Sequence, residues 1–539
     1  MPTIKKFWLI FNNYKFFIEQ INKHIKTMFR GDIIKSLFKA VAIITIFSVL
    51  TRLMGFVFKI FLSRTLPASE LGIYTIVVSV FIVFATVLSS GLPLAVSKST
   101  TINGNNPKKS TAAVSSALII SLILSTIITA IILLAKPLLA AYFKNNTAYT
   151  LLLYMIPAIV FTGIYSPFKG YLWGKEKFFY VSLVEFIEQI IRIGCFFIFV
   201  YFFNFSNDLF PAGISVSVAC VLSTILGILF FYLSKGRLNS PKNHFKSVFK
   251  SATPITLVRL FTGLMQPLMA FLLPIRLVVA GFTNEQALSQ LGIAMGMTLP
   301  LLTIPSTLIG SLATAIVPNI TELNNKQNYS KLKSQISSAI NFTICCSFIV
   351  LPFFIAVGEQ CCLFLFDNII AGTYLKYGCW IIIPMGISQI TTSILNSLNL
   401  ETKTFKYYIY SCIVLLACIF LLPKYIGIYS LLFGMGLSTA TIAILNIIKI
   451  NKTVKTNKTY LPTLLKLTMF TLPTTLLTKW SYKIIALIFP KFISLIIVGL
   501  ISVICFTVLM TIFNVIDITY FTGIYNRKIS INKRKKAQT

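Results

Sequence analysis

The chain has 539 residues, 56% of them hydrophobic and only 11% charged, with a mean hydropathy of +0.85. Soluble globular proteins carry roughly 25% charged residues, so the composition excludes a soluble domain and indicates a polytopic membrane protein. The formal net charge of +35 is distributed over short loops and tails rather than gathered on one domain, so no nucleic-acid partner is expected.

In chain order, residues 1–34 form an N-terminal extension with an apolar stripe at helical spacing: Phe7, Phe11, Tyr14, Phe17, Ile21, Ile25 and Met28. Lys15, Lys23 and Lys26 interrupt any signal-peptide core. The segment reads either as a cytoplasmic or interfacial amphipathic helix or as sequence upstream of a start at Met28 rather than Met1. Candidate spans of about the ~20 residues that a bilayer requires follow at 40–62, 71–94, 112–135, 149–168, 178–202, 212–234, 251–275, 290–317, 336–357, 377–398, 407–423, 428–448, 460–478 and 492–514. The expected fold is therefore an all-α polytopic membrane protein of about fourteen transmembrane helices. The expected division is 35–234 as an N-lobe (spans one to six), 235–250 as a basic loop, and 251–448 as a C-lobe (spans seven to twelve). A second loop at 449–459, spans thirteen and fourteen at 460–514 and a basic tail at 515–539 complete it.

The basic residues give an orientation. With the N-terminus inside, the inner loops hold 21 Lys and Arg and the outer loops nine, including Arg64, Arg276, Lys376 and Lys424. The inner set counts Lys169 as a loop residue, together with Lys175 and Lys177. By the positive-inside rule both termini are expected in the cytoplasm, with the chain crossing the membrane many times.

The halves echo each other. Arg52-Leu53 with Gly55 lies in the first span and Leu71-Gly72-Ile73 begins the second. Arg259-Leu260 with Gly263 lies in the seventh and Leu291-Gly292-Ile293 begins the eighth. Six spans separate the copies, so they run in the same direction. This pattern implies two six-helix lobes in a pseudo-twofold parallel repeat, with two extra C-terminal helices, and a substrate path between repeats.

Four cations fall inside apolar spans, Arg52, Lys59, Arg192 and Arg259, while Lys466 in the early turns of span thirteen can snorkel inward and is counted with the inner loops. A buried cation costs at least ~2.5–3.5 kcal/mol at a span centre, so it normally faces a polar cavity or a partner. Arg52 and Lys59, seven residues apart, share a helix face roughly 10 Å apart in depth. Guanidinium groups bind phosphate oxygens bidentately, and so Arg52, Lys59 and Arg259 form a candidate diphosphate-binding set. The plainer alternatives are that Lys59 snorkels and that Arg259 caps carbonyls near a proline. In the fifth span, Glu185, Glu188 and Arg192 lie on one face. Glu188 and Arg192 have the favourable i,i+4 order for an ion pair, a structural neutralisation. Glu185 has no evident local partner there, which leaves a cation or proton coupling site open.

No GxxxxGK[ST] motif exists, and no soluble segment could fold into an ATPase. No nucleophile, paired-carboxylate or metal-ligand constellation lies in a loop, and the ten cysteines contain no CxxC pair. Cysteine as a small buried hydrophobe is the expected reading, with a bridge from Cys361 or Cys362 to Cys379 as the alternative. A secondary transporter without cofactor or metal is expected, not an enzyme.

These residues resemble a known family. The run Thr51-Arg52-Leu53-Met54-Gly55-Phe56-Val57-Phe58-Lys59, followed by Leu71-Gly72-Ile73-Tyr74 and Ser90-Gly91-Leu92-Pro93-Leu94-Ala95-Val96-Ser97-Lys98, carries the resemblance. So do Glu188-Gln189 with Arg192, Thr253-Pro254-Ile255-Thr256-Leu257 with Arg259, and Gly296-Met297 leading to Leu299-Pro300 and Pro305-Ser306-Thr307. The chain resembles the lipid-linked oligosaccharide flippases of the multidrug/oligosaccharidyl-lipid/polysaccharide exporter superfamily, on their sporulation-protein and lipid II flippase branch. The resemblance covers roughly residues 36–450. It implies a V-shaped fourteen-helix transporter with a cationic central cavity and a groove for the lipid tail at the last two helices. Arg52 and Lys59 match the arginines that lipid II flippases carry in the first span. Where those carry an arginine in the eighth span, this chain reads Gly296-Met297-Thr298-Leu299-Pro300, and Arg259 stands in for it from the seventh. The implied function is alternating-access translocation of an undecaprenyl-diphosphate-linked peptidoglycan precursor, with a role in spore cortex or cell-wall synthesis. The implied partners are the lipid-linked anionic oligosaccharide, membrane lipids and cell-wall synthesis enzymes. A flippase for another lipid-linked polysaccharide unit, or a cation-coupled multidrug exporter, are the alternatives.

Overall fold

In a computed structural model of the chain, residues 32–103, 107–137, 147–203, 205, 207–241, 245–455, 460–513 and 515 are described. The expected interfacial helix of the 1–34 extension lies outside them apart from its last residues. So do nearly all of the tail 515–539 and parts of the two basic loops, 242–244 and 456–459.

The described residues are helical almost throughout, with no strand among them. A bilayer core offers no water to bond backbone N–H and C=O groups, so a spanning segment must satisfy them within itself. Twelve helical stretches are long and apolar enough to cross a membrane, and they coincide with twelve of the fourteen expected spans. The remaining two, the fifth and thirteenth, are the helices Phe178–Phe202 and Leu461–Ile488. Three charges within eight residues set the fifth apart, and threonines dilute the leucine-rich thirteenth. Those threonines bond back to the preceding turn, as Thr474 Oγ1 does to the Phe470 carbonyl at 2.8 Å, so their hydroxyls are satisfied within the helix.

Several spans are broken. The second comprises Ala68–Ser89 and Gly91–Ile102, the fourth Thr147–Tyr154 and Ile156–Gly174, and the seventh Phe245–Gly263 and Met265–Val279. The eighth carries a wide-turn π segment, Gly292–Thr298, between Asn284–Leu291 and Leu299–Asn325. All seven residues of that segment are buried.

The described chain forms two compact units. One comprises residues up to Phe58 together with Phe81–Thr262, the other Lys59–Val80 together with Gly263 onwards.

Small residues set the packing of the first unit. Ser166 Oγ on the fourth span donates to the Leu88 carbonyl at 2.7 Å. A Cβ at Gly170 would come within 2.8 Å of Pro93 Cα, and one at Gly174 within 2.6 Å of Thr100 Cβ. Without a hydrophobic drive between helices in lipid, such close approach supplies the attraction through dispersion. The resulting core gathers Leu92, Val96, Val114, Phe168, Phe231 and Ala252. Phe231 stands edge-on to Phe168 and Tyr171, at 5.0 and 4.8 Å between ring centres.

In the second unit, the two echoed Leu-Gly-Ile motifs meet. A Cβ at Gly292 would overlap the Ala68 carbonyl oxygen and lie 2.6 Å from the Gly72 nitrogen. A Cβ at Gly72 would overlap the Leu288 carbonyl, and Leu71 fills the space over Gly296. Thr298 Oγ1 anchors the far end of the π segment to the Ala371 carbonyl at 3.1 Å. Deeper in this unit Asn446, fully buried, donates to Thr391 and Thr392 at 3.1 and 3.0 Å. Two arginines tie helix ends. Arg64 donates to the Leu365 carbonyl at 2.8 Å and also to that of Phe364, at the C-terminus of Leu351–Phe366. Arg276 donates to the Phe420 carbonyl at 2.9 Å and lies 4.0 Å over that ring, at the end of Glu401–Leu421. Cations suit the negative end of a helix.

All ten cysteines are free thiols. The alternative bridge from Cys361 or Cys362 to Cys379 is therefore absent. Cys379 Sγ instead lies 3.2 Å from the Lys376 carbonyl, and Cys361 packs with Val357, Leu495 and Val498.

Candidate functional site

Arg52 and Arg259 belong to the first unit, and Lys59 is the first residue of the second unit's Lys59–Val80 segment. The helix Asp32–Thr65 seats on the fifth span through one flank. Phe47 stands edge-on to Phe179 and Phe186 at 5.7 and 5.9 Å, and Phe58 to Phe196 at 5.5 Å. Between them Gly55 leaves a gap that Gln189 approaches. With 3.6 residues per turn, Arg52 and Lys59 project from a common face beside that flank, and both are exposed.

Arg259 follows the stripe that holds its helix to the first unit. Val248 and Ala252 are buried, and Gly91 is so close to Ala252 that a Cβ there would sit 2.9 Å from its carbonyl carbon. Seven residues on, Arg259 lies on the same stripe but is exposed. Its carbonyl accepts from Thr262 Oγ1 at 3.0 Å. Among the described residues no hydrogen bond or ion pair engages the side chains of Arg52, Lys59 or Arg259, so no carbonyl cap by Arg259 is observed. An exposed cation at the depth of the hydrocarbon core is costly against lipid. Such side chains call for water or an anion beside them.

The fifth span carries a neutralised network. Arg192 Nη2 donates to Glu188 Oε1 at 2.5 Å, with both side chains 20% exposed. Lys169 Nζ donates to Glu185 Oε1 at 2.5 Å, at 21% and 41% exposure, and lies 4.8 Å over the Trp173 ring. Two expectations are thereby corrected. Glu185 does have a partner, on the neighbouring fourth span, and Lys169 is not a loop residue. The helix Ile156–Gly174 runs beyond the expected end at 168, because Tyr171, Leu172 and Trp173 extend its apolar character past the lysine. The Tyr165 hydroxyl is buried near these groups and finds no partner among the described residues. Lys169 is the residue that sequence reasoning missed, and the aromatic-rich run after it was the available signal.

Of the four cations that the sequence places inside spans, Arg192 is paired, while Arg52, Lys59 and Arg259 meet no carboxylate among the described residues. Each of these side chains can take an anion. Among the described residues no group of three or more His, Cys, Asp or Glu gathers as metal ligands do.

The chain is similar to known proteins. It is 23% identical over 321 residues to Stage V sporulation protein B of Bacillus subtilis (strain 168), covering 57% of this chain and 62% of that relative's length. It is 22% identical over 318 residues to sporulation protein YkvU of the same organism, covering 57% of this chain and 70% of that one. Among solved structures it is similar to the lipid II flippase MurJ in an inward closed conformation. The TM-score is 0.63 at 15% identity, over 87% of this chain and 98% of that one. It is also similar to an inward-facing multidrug resistance MATE family transporter of the MOP superfamily, with a TM-score of 0.62 at 16% identity, over 75% and 94%. These likenesses establish the fold as that of the MOP-superfamily transporters, as the sequence resemblance implies. The family model described as polysaccharide biosynthesis protein matches residues 37–324. That is more than half of the sequence, and the chain belongs to the polysaccharide biosynthesis protein family.

Proposed function

We propose that the chain is a flippase that carries an undecaprenyl-diphosphate-linked peptidoglycan precursor, similar to lipid II, between leaflets of a bacterial cytoplasmic membrane. The observation that carries this reading is the set of exposed, unneutralised cations Arg52, Lys59 and Arg259 on membrane-spanning helices. Arginine forks take phosphate oxygens in pairs, so Arg52 and Arg259 bind the diphosphate and Lys59 extends the contact along the first span. A bound diphosphate, esterified at both ends and so doubly negative, offsets two of these three charges, which lowers the cost of moving them through an apolar surrounding. The filled carrier therefore reorients more readily than the empty one, and alternating access delivers the lipid to the other face. In this reading both termini are cytoplasmic, spans thirteen and fourteen accommodate the lipid tail, and spore cortex or cell-wall enzymes consume the product. The relationship to two sporulation proteins and the MurJ-like fold support it.

The family description favours one second reading, a flippase for another lipid-linked polysaccharide unit. A cation-coupled drug exporter is disfavoured, because Glu185 and Glu188 are each held by a cation of this chain. The test is to express the protein in cells depleted of their own lipid II flippase. Outer-leaflet lipid II should be restored. Accumulation of inner-leaflet lipid II despite normal membrane levels of the protein would exclude the peptidoglycan substrate.

A further inference from the structure

The residues that line a groove within the second unit include none of the charged groups of the proposed site. Its volume is about 580 Å³, and it runs between the tenth and twelfth spans. Tyr377, Trp380 and Tyr429 line one part of it, Pro384, Leu437 and Ala440 the other. Tyr377 and Phe433 are 62% and 56% exposed, so the groove opens outward and is not part of the helix core. Gly436 keeps it open. A Cβ there would meet only Ile381 Cγ1, at an ordinary 3.5 Å, so the missing side chain is space in the groove rather than a packing necessity.

Three features identify an occupant. From Tyr429 to Ala440 the helix Tyr429–Val454 advances about 16 Å at 1.5 Å per residue, half of a hydrocarbon core of ~30 Å. A single acyl chain of one leaflet has that reach, whereas a long polyprenyl chain far exceeds it. Tyrosine and tryptophan at one end are the residues that settle at the level of lipid headgroups. At that same end stand two lysines. Lys376 directly precedes Tyr377, with its ammonium 5.8 Å from that ring and 3.2 Å from Glu359 Oε1. Lys424 is exposed, two residues before the groove-lining Ile426. The ammonium groups have N–H donors to spare for a phosphate.

We infer that this groove is a binding site for an anionic glycerophospholipid, with one acyl chain between Trp380 and Gly436 and the phosphate at Lys376 and Lys424. The site is independent of the flippase reading and stands or falls without it. The test uses the full chain, purified in detergent, stripped of lipid, and followed by native mass spectrometry. The probes are phosphatidylglycerol, phosphatidylcholine with the same acyl chains, and undecaprenyl phosphate. Phosphatidylglycerol should be retained over phosphatidylcholine, whose choline cation is repelled by the lysines that attract its phosphate, by up to about fivefold for each lysine at the headgroup. Lys424→Gln, a surface change that leaves the fold alone, should remove up to about fivefold of that preference. Gly436→Phe should lower retention of both phospholipids. Equal retention of the two phospholipids, or retention of phosphatidylglycerol unchanged by both substitutions, would overturn the assignment. So would preferential capture of undecaprenyl phosphate that Gly436→Phe abolishes, which would make the groove a polyprenyl site.

Discussion

The two ion pairs of the first unit differ in burial, and that difference predicts different costs of breaking them. Both have a charged N–O separation of 2.5 Å, where the gross attraction at an effective dielectric of 20 is roughly 6–7 kcal/mol. The gross attraction is therefore the same, and what separates the pairs is how completely a stranded partner is denied solvent. Removing one member of a fully buried pair costs about 3–5 kcal/mol, while exposed pairs are worth about 0–1 kcal/mol. Glu188 and Arg192 are both 20% exposed, so Glu188→Gln should destabilise by roughly 2–3 kcal/mol, near the buried limit. Glu185 is 41% exposed, so Glu185→Gln should cost roughly 1–2 kcal/mol, between the limits. Thermal unfolding of the detergent-solubilised protein, with Arg192→Met and Lys169→Met to complete two double-mutant cycles, measures both couplings. Glu188→Gln combined with Arg192→Met should recover most of the loss, since a neutral pair strands no charge. The reasoning is refuted if Glu188→Gln unfolds like the wild type, or costs less than Glu185→Gln. Normal folding with abolished transport would assign Glu188 to coupling instead.

Further outcomes follow from the packing and the charge pattern. Gly292→Ala should destabilise the second unit by about 1–3 kcal/mol, because its Cβ meets backbone of the second span rather than a flexible side chain; Gly194→Ala, with nothing within 4 Å, is the control, and equal unfolding temperatures would contradict the close approach. In a cysteine-free background, a cysteine at Asn207 should react with an impermeant thiol reagent in intact cells and one at Asn243 only after permeabilisation, the reverse pattern inverting the orientation. Glu322, outside the membrane stretch, has its carboxyl held below the usual range by the hydrogen bond from Lys326, at 2.5 Å, and by that residue's charge. A depressed folded pKa contributes stability above the unfolded value of 4.5 that disappears as pH falls through the folded one. Since the pair is solvated, that contribution is small, so Glu322→Gln should lower the transition temperature at pH 7 only slightly, and a clear drop would show that solvent screens the pair less than its exposure suggests.

Hydropathy made most of the fold legible, because a bilayer imposes a length and an apolar composition on every crossing helix. The same rule misled at Lys169, where a span was ended at its first charge although Tyr171, Leu172 and Trp173 carried the helix on. The partner of Glu185 was illegible for that reason and because it sits on another helix. The Leu-Gly-Ile echo was visible as a repeat, yet nothing in a one-dimensional pattern says that Gly72 and Gly292 touch. That contact is a property of two helices crossing, and only the absence of a Cβ on both records it. The breaks at Met155 and Leu264 were marked in composition, by Pro157 just after the one and by Gly263 and Pro267 around the other, since a proline removes a helical N–H and crowds the carbonyl four residues back. The clamps by Arg64 and Arg276 engage backbone carbonyls, which every residue possesses, and so residue identity could not name their partners. The three open cations were legible because a charge inside an apolar run stands out whatever surrounds it.

The central claim is that Arg52 and Arg259 hold a diphosphate during translocation. Its most direct test is lipid II flipping in flippase-depleted cells expressing Arg52→Ala or Arg259→Ala, at membrane levels matched to the wild type. Each alanine variant should lose outer-leaflet lipid II, while Arg52→Lys and Arg259→Lys should restore it only in part, because lysine keeps the charge but not the bidentate fork. Full flipping by both alanine variants at normal protein levels would contradict the claim.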